Sequence, residues 1–301
     1  MSKSIHIIPS AEIDVSKWND CIDKNNNGLI YSSFEYLNFL ADNWHGLIIG
    51  EYESVMALPW RKKWGIRYIY TPPFMQQLGL VGNTAIDPSI ILNELQQFCK
   101  YITYNFNFDN QYINNSFSTH TNLIIPLSQS AGEIKQQYAK SLERNLQKAI
   151  NSGLKIVEGE YQRSLQWYKQ YQGDKIPHVK DVDYQQLLQL MAYLQQKGQL
   201  ICNDALNKQG EIIATNVYIK DAKRIYHLLP SSTKEGKELA AMHYLIDNEI
   251  TKNVGSNYVF DFEGSDIKGV QQFYLQFGAI PQPYFRLHQN NLPFWLKLIK
   301  K

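Results

Sequence analysis

The sequence is short of the features that most often announce a function. It has no apolar run long enough for a membrane span or a signal-peptide core, since Ile5, Ile7 and Ile8 near the start give way at once to Pro9. This predicts an unexported, cytoplasmic protein with no membrane span. Its three cysteines, Cys21, Cys99 and Cys202, are odd in number and scattered, with no CxxC pair. A disulfide framework and a zinc site are both disfavoured by that spacing, and a reducing compartment is favoured. An excess of one charge is also missing: a net charge of +2 does not by itself point to nucleic acid or a lipid surface, and no DNA partner is expected. Absent too are HExxH, GxSxG, a Walker loop and GxGxxG, which argues against zinc proteases, serine hydrolases, P-loop enzymes and Rossmann dehydrogenases.

What is present is an ordinary globular composition, with 44% apolar and 19% charged residues, so disorder is not expected. A length of 301 residues suggests two domains at roughly 150 residues each. The 20 tyrosines and six tryptophans stand mostly beside polar residues, as on a cleft that meets amphipathic ligands, although core packing explains many of them equally well.

In chain order, Ile5–Ile8 reads as a strand, Val15–Ile22 as a short helix with Trp18 and Ile22 inward, and Asn25–Gly28 as a turn. Ser33–Trp44 carries helical spacing through Phe34, Leu37 and Leu40. Leu47–Leu58 is a hairpin turning at Gly50–Glu53, and Ile66–Tyr70 continues the sheet until Pro72-Pro73 breaks it. Leu78–Val81 is a strand, Pro88–Tyr104 a helix with Ile91, Leu95, Phe98 and Ile102 on one face, and Tyr112–Phe117 a further strand. That completes one domain, residues 1–127, and a second spans 128–301.

In the second domain Ile134, Tyr138, Leu142, Leu146 and Ile150 recur every four residues, the apolar stripe of one helix ended by Asn151–Gly153. Lys140, Arg144 and Lys148 line another face, read either as a phosphate-facing wall for a nucleotide-linked substrate or as an ordinary solvated face. After a strand at Leu154–Val157 and helices near Gln162–Tyr171 and Tyr184–Leu194, the runs Leu200–Asn203, Glu211–Ile219 and Arg224–Leu229 form an antiparallel meander. A loop from Pro230 leads into a helix over Lys237–Ile250, with Ser232 and Glu235 spaced as a capping box.

The densest stretch is Tyr258–Leu287. A buried strand, Tyr258–Phe262, stops at a turn through Glu263, Gly264, Ser265 and Asp266, and an aromatic helix with Val270, Phe273, Tyr274 and Phe277 ends at Gly278. An acidic strand end, a glycine turn and an aromatic helix make the kind of edge at which α/β proteins hold ligands. Asp261 and Glu263 alternate, which would point both carboxylates to one side of the sheet; the competing reading has Asp261 capping or hydrogen-bonding the turn beneath Gly264. On the meander, Asn216 and Tyr218 share a face and Tyr226 shares one with Arg224, leaving His227 opposite as the histidine best placed for general-base work, or else a structural strand histidine.

DFEGS at Asp261–Ser265, Gly269, Phe273-Tyr274 and Phe277-Gly278-Ala279 resemble, in type and spacing, the Fem-type peptidoglycan-bridge aminoacyltransferases and their GNAT-like relatives in Bacteroidetes-type bacteria. RNLQKAINSG at Arg144–Gly153 and MALPWRKKWGIRYIYTPPFMQQLG at Met56–Gly79 are similar to further stretches of that family. The resemblance implies an α/β fold with mixed sheets, arranged as two tandem GNAT-like (acyl-CoA N-acyltransferase) domains with the functional cleft in the second. It implies N-acyl or aminoacyl transfer to an amine of a cell-envelope, peptidoglycan-precursor-like substrate. The acceptor would be a small or nucleotide-linked amine, the donor an acyl-CoA or an aminoacyl-tRNA with tRNA as partner, and no cofactor would be tightly bound. Catalytic work then falls to Asp261, Glu263 and His227. Substrate contacts fall to Lys140, Arg144, Lys148, Tyr218, Tyr226, Ser232, Lys234, Lys237 and Tyr274. The GNAT donor loop, R/Q-x-x-G-x-G/A, wraps a pyrophosphate at a helix N-terminus. Here Ser231–Lys237 has one glycine and no leading Arg or Gln, and no heptad segment offers the long helical arm of tRNA-binding members. A catalytically decayed module that binds a nucleotide-linked or cell-wall ligand is therefore the alternative.

Overall fold

The computed structural model describes residues 4–82, 86–111, 116–264 and 266–293. The chain forms two compact units, one from the residues up to His120 together with the segment from Pro283 onward, the other from Thr121 to Gln282. The expected boundary at 127/128 is thus displaced at both ends. Leu123–Pro126 is an inner strand of the second sheet, between Val259–Asp261 and Ile280–Pro281, and Tyr284–Asn290 is an inner strand of the first, between Tyr101–Phe106 and Phe117–His120. Strand pairing is a long-range property, and hydrophobic periodicity does not reveal the partner.

The first unit is an eight-stranded mixed sheet in the order Ile5–Pro9, Trp44–Ile49, Ser54–Lys63, Ile66–Ile69, Tyr101–Phe106, Tyr284–Asn290 and Phe117–His120, with Leu80–Gly82 paired to Ser54–Lys63. The helix expected over Pro88–Tyr104 ends at Phe98, and Tyr101–Phe106 is a strand whose Ile102, Tyr104 and Phe106 are fully buried. Alternation of large apolar residues with polar ones suits a half-buried strand better than a helix, and it wins here. The buried Tyr104 hydroxyl donates to the Ala57 carbonyl at 2.7 Å and accepts from the Gly79 N–H at 2.8 Å, so its polar tip is satisfied. The strand expected over Tyr112–Phe117 falls partly on 112–115, outside the described residues; a strand is present at Phe117–His120.

The second unit is also an eight-stranded mixed sheet, in the order Ile280–Pro281, Leu123–Pro126, Val259–Asp261, Arg224–His227, Ile212–Lys220, Leu200–Leu206 and Lys155–Glu158, with Ser231–Ser232 paired to Ile212–Lys220. Its neighbours are antiparallel except Arg224–His227 and Val259–Asp261, which run parallel because the helix Ala241–Asn253 carries the chain back between them. The main core collects Leu123, Ile125, Leu142, Tyr218, Ile246, Phe260, Phe262 and Phe277.

Two expected helices are broken in the fold. The stripe from Ile134 to Ile150 spans separate helices, Ala131–Gln136 and Lys140–Asn151. A strict four-residue repeat drifts about 40° per step around a helix of 3.6 residues per turn. By the end of the stripe Ile150 is 54% exposed and Ala149 has taken the buried position. Likewise Lys237–Ile250 is replaced by Lys234–Glu238 and Ala241–Asn253, separated by Ala240 in a left-handed conformation at φ 56°. The expected Ser232–Glu235 capping box does not form. Thr233 Oγ1 accepts from the Gly236 N–H at 3.0 Å, and Glu235 accepts instead from Asn207 Nδ2 at 3.1 Å. Ser232 is held in strand pairing with Ala214, one residue too early to cap.

The drift of the stripe is testable by urea unfolding. Ile150→Gln should change stability by no more than ~0.5 kcal/mol, as for an exposed site, whereas Leu142→Ala should cost ~2–5 kcal/mol, as for a filled core position. Equal losses would mean that Ile150 is packed.

Candidate functional site

Arg224–His227 and Val259–Asp261 pair in parallel at Arg224–Val259, Ile225–Phe260 and Tyr226–Asp261, and then part. On one side the N–H groups of Leu228 and Leu229 both donate to the Val217 carbonyl, at 3.0 and 3.2 Å, a bulge that draws this strand toward Ile212–Lys220. On the other, the Glu263 N–H donates to Asp261 Oδ1 at 2.9 Å, and the chain turns through Glu263 at φ 53° and Gly264 at φ 29°. Only glycine fits at 264, where a Cβ would lie 2.2 Å from the Thr121 carbonyl oxygen. A gap between the carboxyl ends of diverging parallel strands is where open α/β sheets hold ligands.

This turn corrects the expected alternation: Glu263 lies beyond the strand in a left-handed conformation, so Asp261 and Glu263 do not share a face. Asp261 is 1% exposed, its Oδ2 is 2.7 Å from Arg224 Nη1, and its Oδ1 is taken by the turn. Arg224 also donates to Gln282 Oε1 at 2.9 Å. Asp261 therefore serves as the buried partner of a cation and as the cap of the turn. Glu263 is half-buried, and its charge acts on two phenols, Tyr168 of the helix Tyr161–Gln172 and Tyr274 of the helix Lys268–Leu275. Burial first, and then that carboxylate, push both phenols far up, so both stay protonated and able to donate. Tyr168 is missed by the sequence reading; the only signal for it is the aromatic density of its helix, with Tyr161, Trp167 and Tyr171.

His227 is the last residue of the strand Arg224–His227. It is 2% exposed, neither ring nitrogen has a hydrogen-bond partner among the described residues, and the rings of Tyr218, Phe260, Phe262 and Tyr274 surround it at 5.6–6.3 Å between centroids. Burial pushes its pKa down to about 3. It is neutral at physiological pH, and far too weak a base to be matched to proton abstraction there. Tyr218 and Tyr226 are fully buried and committed elsewhere. The Tyr218 hydroxyl accepts from Asn216 Nδ2 at 2.8 Å and donates to the Leu245 carbonyl at 3.2 Å, while the Tyr226 hydroxyl donates to Asp221 Oδ2 at 2.7 Å.

The donor-loop residues are placed differently from one another. Ser231 and Ser232 pair with Thr215 and Ala214, and their buried hydroxyls have no partner among the described residues. Gly236, the loop's one glycine, has a packing reason, because a Cβ there would stand 2.2 Å from the Ile213 carbonyl oxygen. Lys234 and Lys237 are exposed, and Ala241–Asn253 starts without a side-chain cap. Lys140, Arg144 and Lys148 lie on the exposed side of their helix, where Arg144 Nε donates to the Lys140 carbonyl at 3.3 Å and none of the three forms an ion pair among the described residues. No group of metal-ligating side chains occurs among the described residues.

The buried histidine has a pH signature. In the folded protein His227 stays neutral down to about 3, while the unfolded chain binds a proton below the ordinary value of 6.5. Its contribution to stability is full above 6.5 and is lost as pH falls through 6.5 toward 3. Between pH 6.5 and about 4.5 the wild type should lose about 2 kcal/mol more than His227→Phe. Parallel stability curves from urea unfolding would contradict a buried neutral imidazole.

The sequence matches no protein-family model and no curated protein. The fold does recur among solved structures. FemX aligns over 100% of both chains with a TM-score of 0.67 at 10% identity. A tandem GNAT protein from the clavulanic acid biosynthesis pathway, solved without acetyl-CoA, aligns over 96% of this chain and 100% of its own with a TM-score of 0.58 at 9% identity. The C-terminal domain of a putative lysylphosphatidylglycerol synthetase from Agrobacterium fabrum aligns over 96% of this chain and 95% of its own, with a TM-score of 0.57 at 12% identity. At such identities the likeness is one of fold, and the chain has the architecture of two tandem GNAT-like domains.

Proposed function

We propose that the second unit transfers an acyl or aminoacyl group from an ester or thioester donor to an amine. The observation that carries this reading is the end of parallel pairing after Tyr226–Asp261, next to which the Glu263 charge acts on the phenols of Tyr168 and Tyr274. Amine attack on a carbonyl needs alignment, a proton acceptor and a donor to the oxyanion. Glu263 would accept the amine proton as the new N–C bond forms, and a tyrosine hydroxyl would donate to the carbonyl oxygen. The bond from the carbonyl carbon to the donor's oxygen or sulfur then breaks, and the proton leaves with that group. The likeness in fold to FemX and to the tandem GNAT protein supports this class of chemistry.

The favoured acceptor is a nucleotide-linked, peptidoglycan-precursor-like amine, and the donor an acyl-CoA or aminoacyl-tRNA. The exposed cations Lys234 and Lys237 before the uncapped helix at Ala241, and Lys140, Arg144 and Lys148 on their own helix, supply positive charge suited to phosphates. A second reading, a binding module without transfer activity, is favoured by one observation: strand pairing of Ser231–Ser232 and the Thr233 cap occupy the segment that a GNAT donor loop would use.

Glu263→Gln keeps shape and hydrogen-bonding capacity. It should melt like the wild type, still bind ligand, and lose ~10²-fold or more in transfer rate; an unchanged rate would remove Glu263 from the chemistry. The binding-module reading instead expects no transfer by the wild type, with a melting temperature raised by a nucleotide-linked muropeptide and not by CoA or aminoacyl-tRNA. Reversing charge at Arg144 and Lys148 should weaken binding of a phosphorylated ligand while stability changes by less than about 1 kcal/mol, as for exposed charges. A large drop in melting temperature would make these side chains structural.

A further inference from the structure

We propose that the tip of the two-stranded ribbon at Lys62–Arg67 docks the protein on an anionic lipid surface, with Trp64 entering the headgroup layer. This goes beyond the transfer chemistry above and rests on the first unit alone. Burial falls steadily along the strand Ser54–Lys63, from fully buried at Ser54–Pro59, through half-buried Trp60 and Arg61, to exposed Lys62 and Lys63. Beyond Pro59 the strand Trp44–Ile49 no longer pairs with it, and only Ile66–Ile69 continues alongside. That second strand meets its other neighbour only at Tyr68 and Ile69. The pairs Lys62–Arg67 and Lys63–Ile66 therefore extend past the sheet, and a Cβ at Gly65 would meet nothing within 4 Å.

The tip is occupied by an unsuitable residue for a turn. Trp64 at φ 50° and Gly65 at φ 79° form the two-residue loop. Asn-Gly is the common solution for left-handed residues at both positions, and a bulky aromatic ring in the first is costly. The ring gains little burial in exchange, since Trp64 is 65% exposed. A strained residue that holds an apolar ring out in water suggests a role outside the fold. Its flanks are cationic. Lys62, Lys63 and Arg67 form no ion pair among the described residues; Lys63 Nζ lies 4.7 Å from the Trp64 ring centre, and the Arg67 guanidinium lies over Trp60 and Phe98 at 4.5 and 4.9 Å.

An indole with one polar edge, set among cations on a projecting turn, matches the apolar-to-anionic boundary of a bilayer. Single-stranded nucleic acid fits less well. The neighbouring rings on the sheet meet edge to face, Tyr68–Tyr101 at 84° and Tyr101–His288 at 85°, and so do not offer a run of parallel faces on which bases stack.

The test uses the full chain and flotation with vesicles of phosphatidylcholine alone or mixed with phosphatidylglycerol. Binding should appear only with the anionic mixture and fall as salt rises. Reversing charge at Lys62 and Lys63 should weaken it about tenfold or more. Trp64→Asn should lose vesicle binding and yet melt at the wild-type temperature or above, because Asn accepts the left-handed turn. A structural tryptophan would not behave so. Failure to bind either vesicle, unchanged binding by both variants, or tighter binding of a single-stranded RNA oligonucleotide through the same residues would each overturn the proposal.

Discussion

The second unit turns on one buried ion pair. Arg224 and Asp261 sit on adjacent parallel strands, each almost wholly removed from water, just before those strands separate. Burying two charges is expensive, and such a pair persists only when its remaining donors and acceptors are also met. They are largely met here. Gln282 Oε1 accepts from the guanidinium, Asp261 Oδ1 accepts from the Glu263 N–H, and Asp221 accepts from the backbone N–H groups of Lys223 and Arg224 at 2.7 and 2.6 Å and from the Tyr226 hydroxyl. Removing either charge would leave the other buried and unpaired, so the strands stay in register up to the point where the gap opens.

That lock sorts the two carboxylates of the acidic turn. Asp261 is consumed by structure, while Glu263, two residues on, is released from the strand by the turn that Asp261 itself caps. Environments that separate neighbouring acids in this way are how one site obtains a structural group and a reactive one. Burial works in the same direction on the other titratable groups at the gap. It keeps His227 neutral and pushes the Tyr168 and Tyr274 phenols up, so all three are uncharged at neutral pH.

Close backbone approach is the second constraint. Gly264 lies against Thr121 and Asn122 where the acidic turn passes the start of the strand Leu123–Pro126, and Gly236 lets a short helix rest on the Ile213 carbonyl. Both contacts hold together segments distant in sequence. The same sheet is completed by Leu123–Pro126 and Ile280–Pro281, at the two ends of this unit's stretch of chain, which explains how one continuous segment, Thr121–Gln282, closes as a unit before the chain returns to the first sheet.

Much of the secondary structure was legible from side-chain period alone: the hairpin around Gly50–Glu53, the three-stranded meander, and the strand, turn and aromatic helix after Tyr258 all stand close to where local pattern puts them. The glycine turn and the acidic pair marked the site for the same reason, since turn chemistry and strand ends are local properties. What the sequence could not decide was which groups remain available to a ligand. Asp261, His227, Tyr218 and Tyr226 are polar residues at suitable positions, but each is buried, and all except His227 are engaged by partners that lie far away in sequence or depend on strand geometry. Tyr168 reaches the Glu263 environment only through the packing of its helix, and Tyr284–Asn290 joins the first sheet only through long-range pairing. Period and turn residues are written into a short window of sequence; partnership, burial and the charge that survives burial depend on contacts that exist only once the chain has closed.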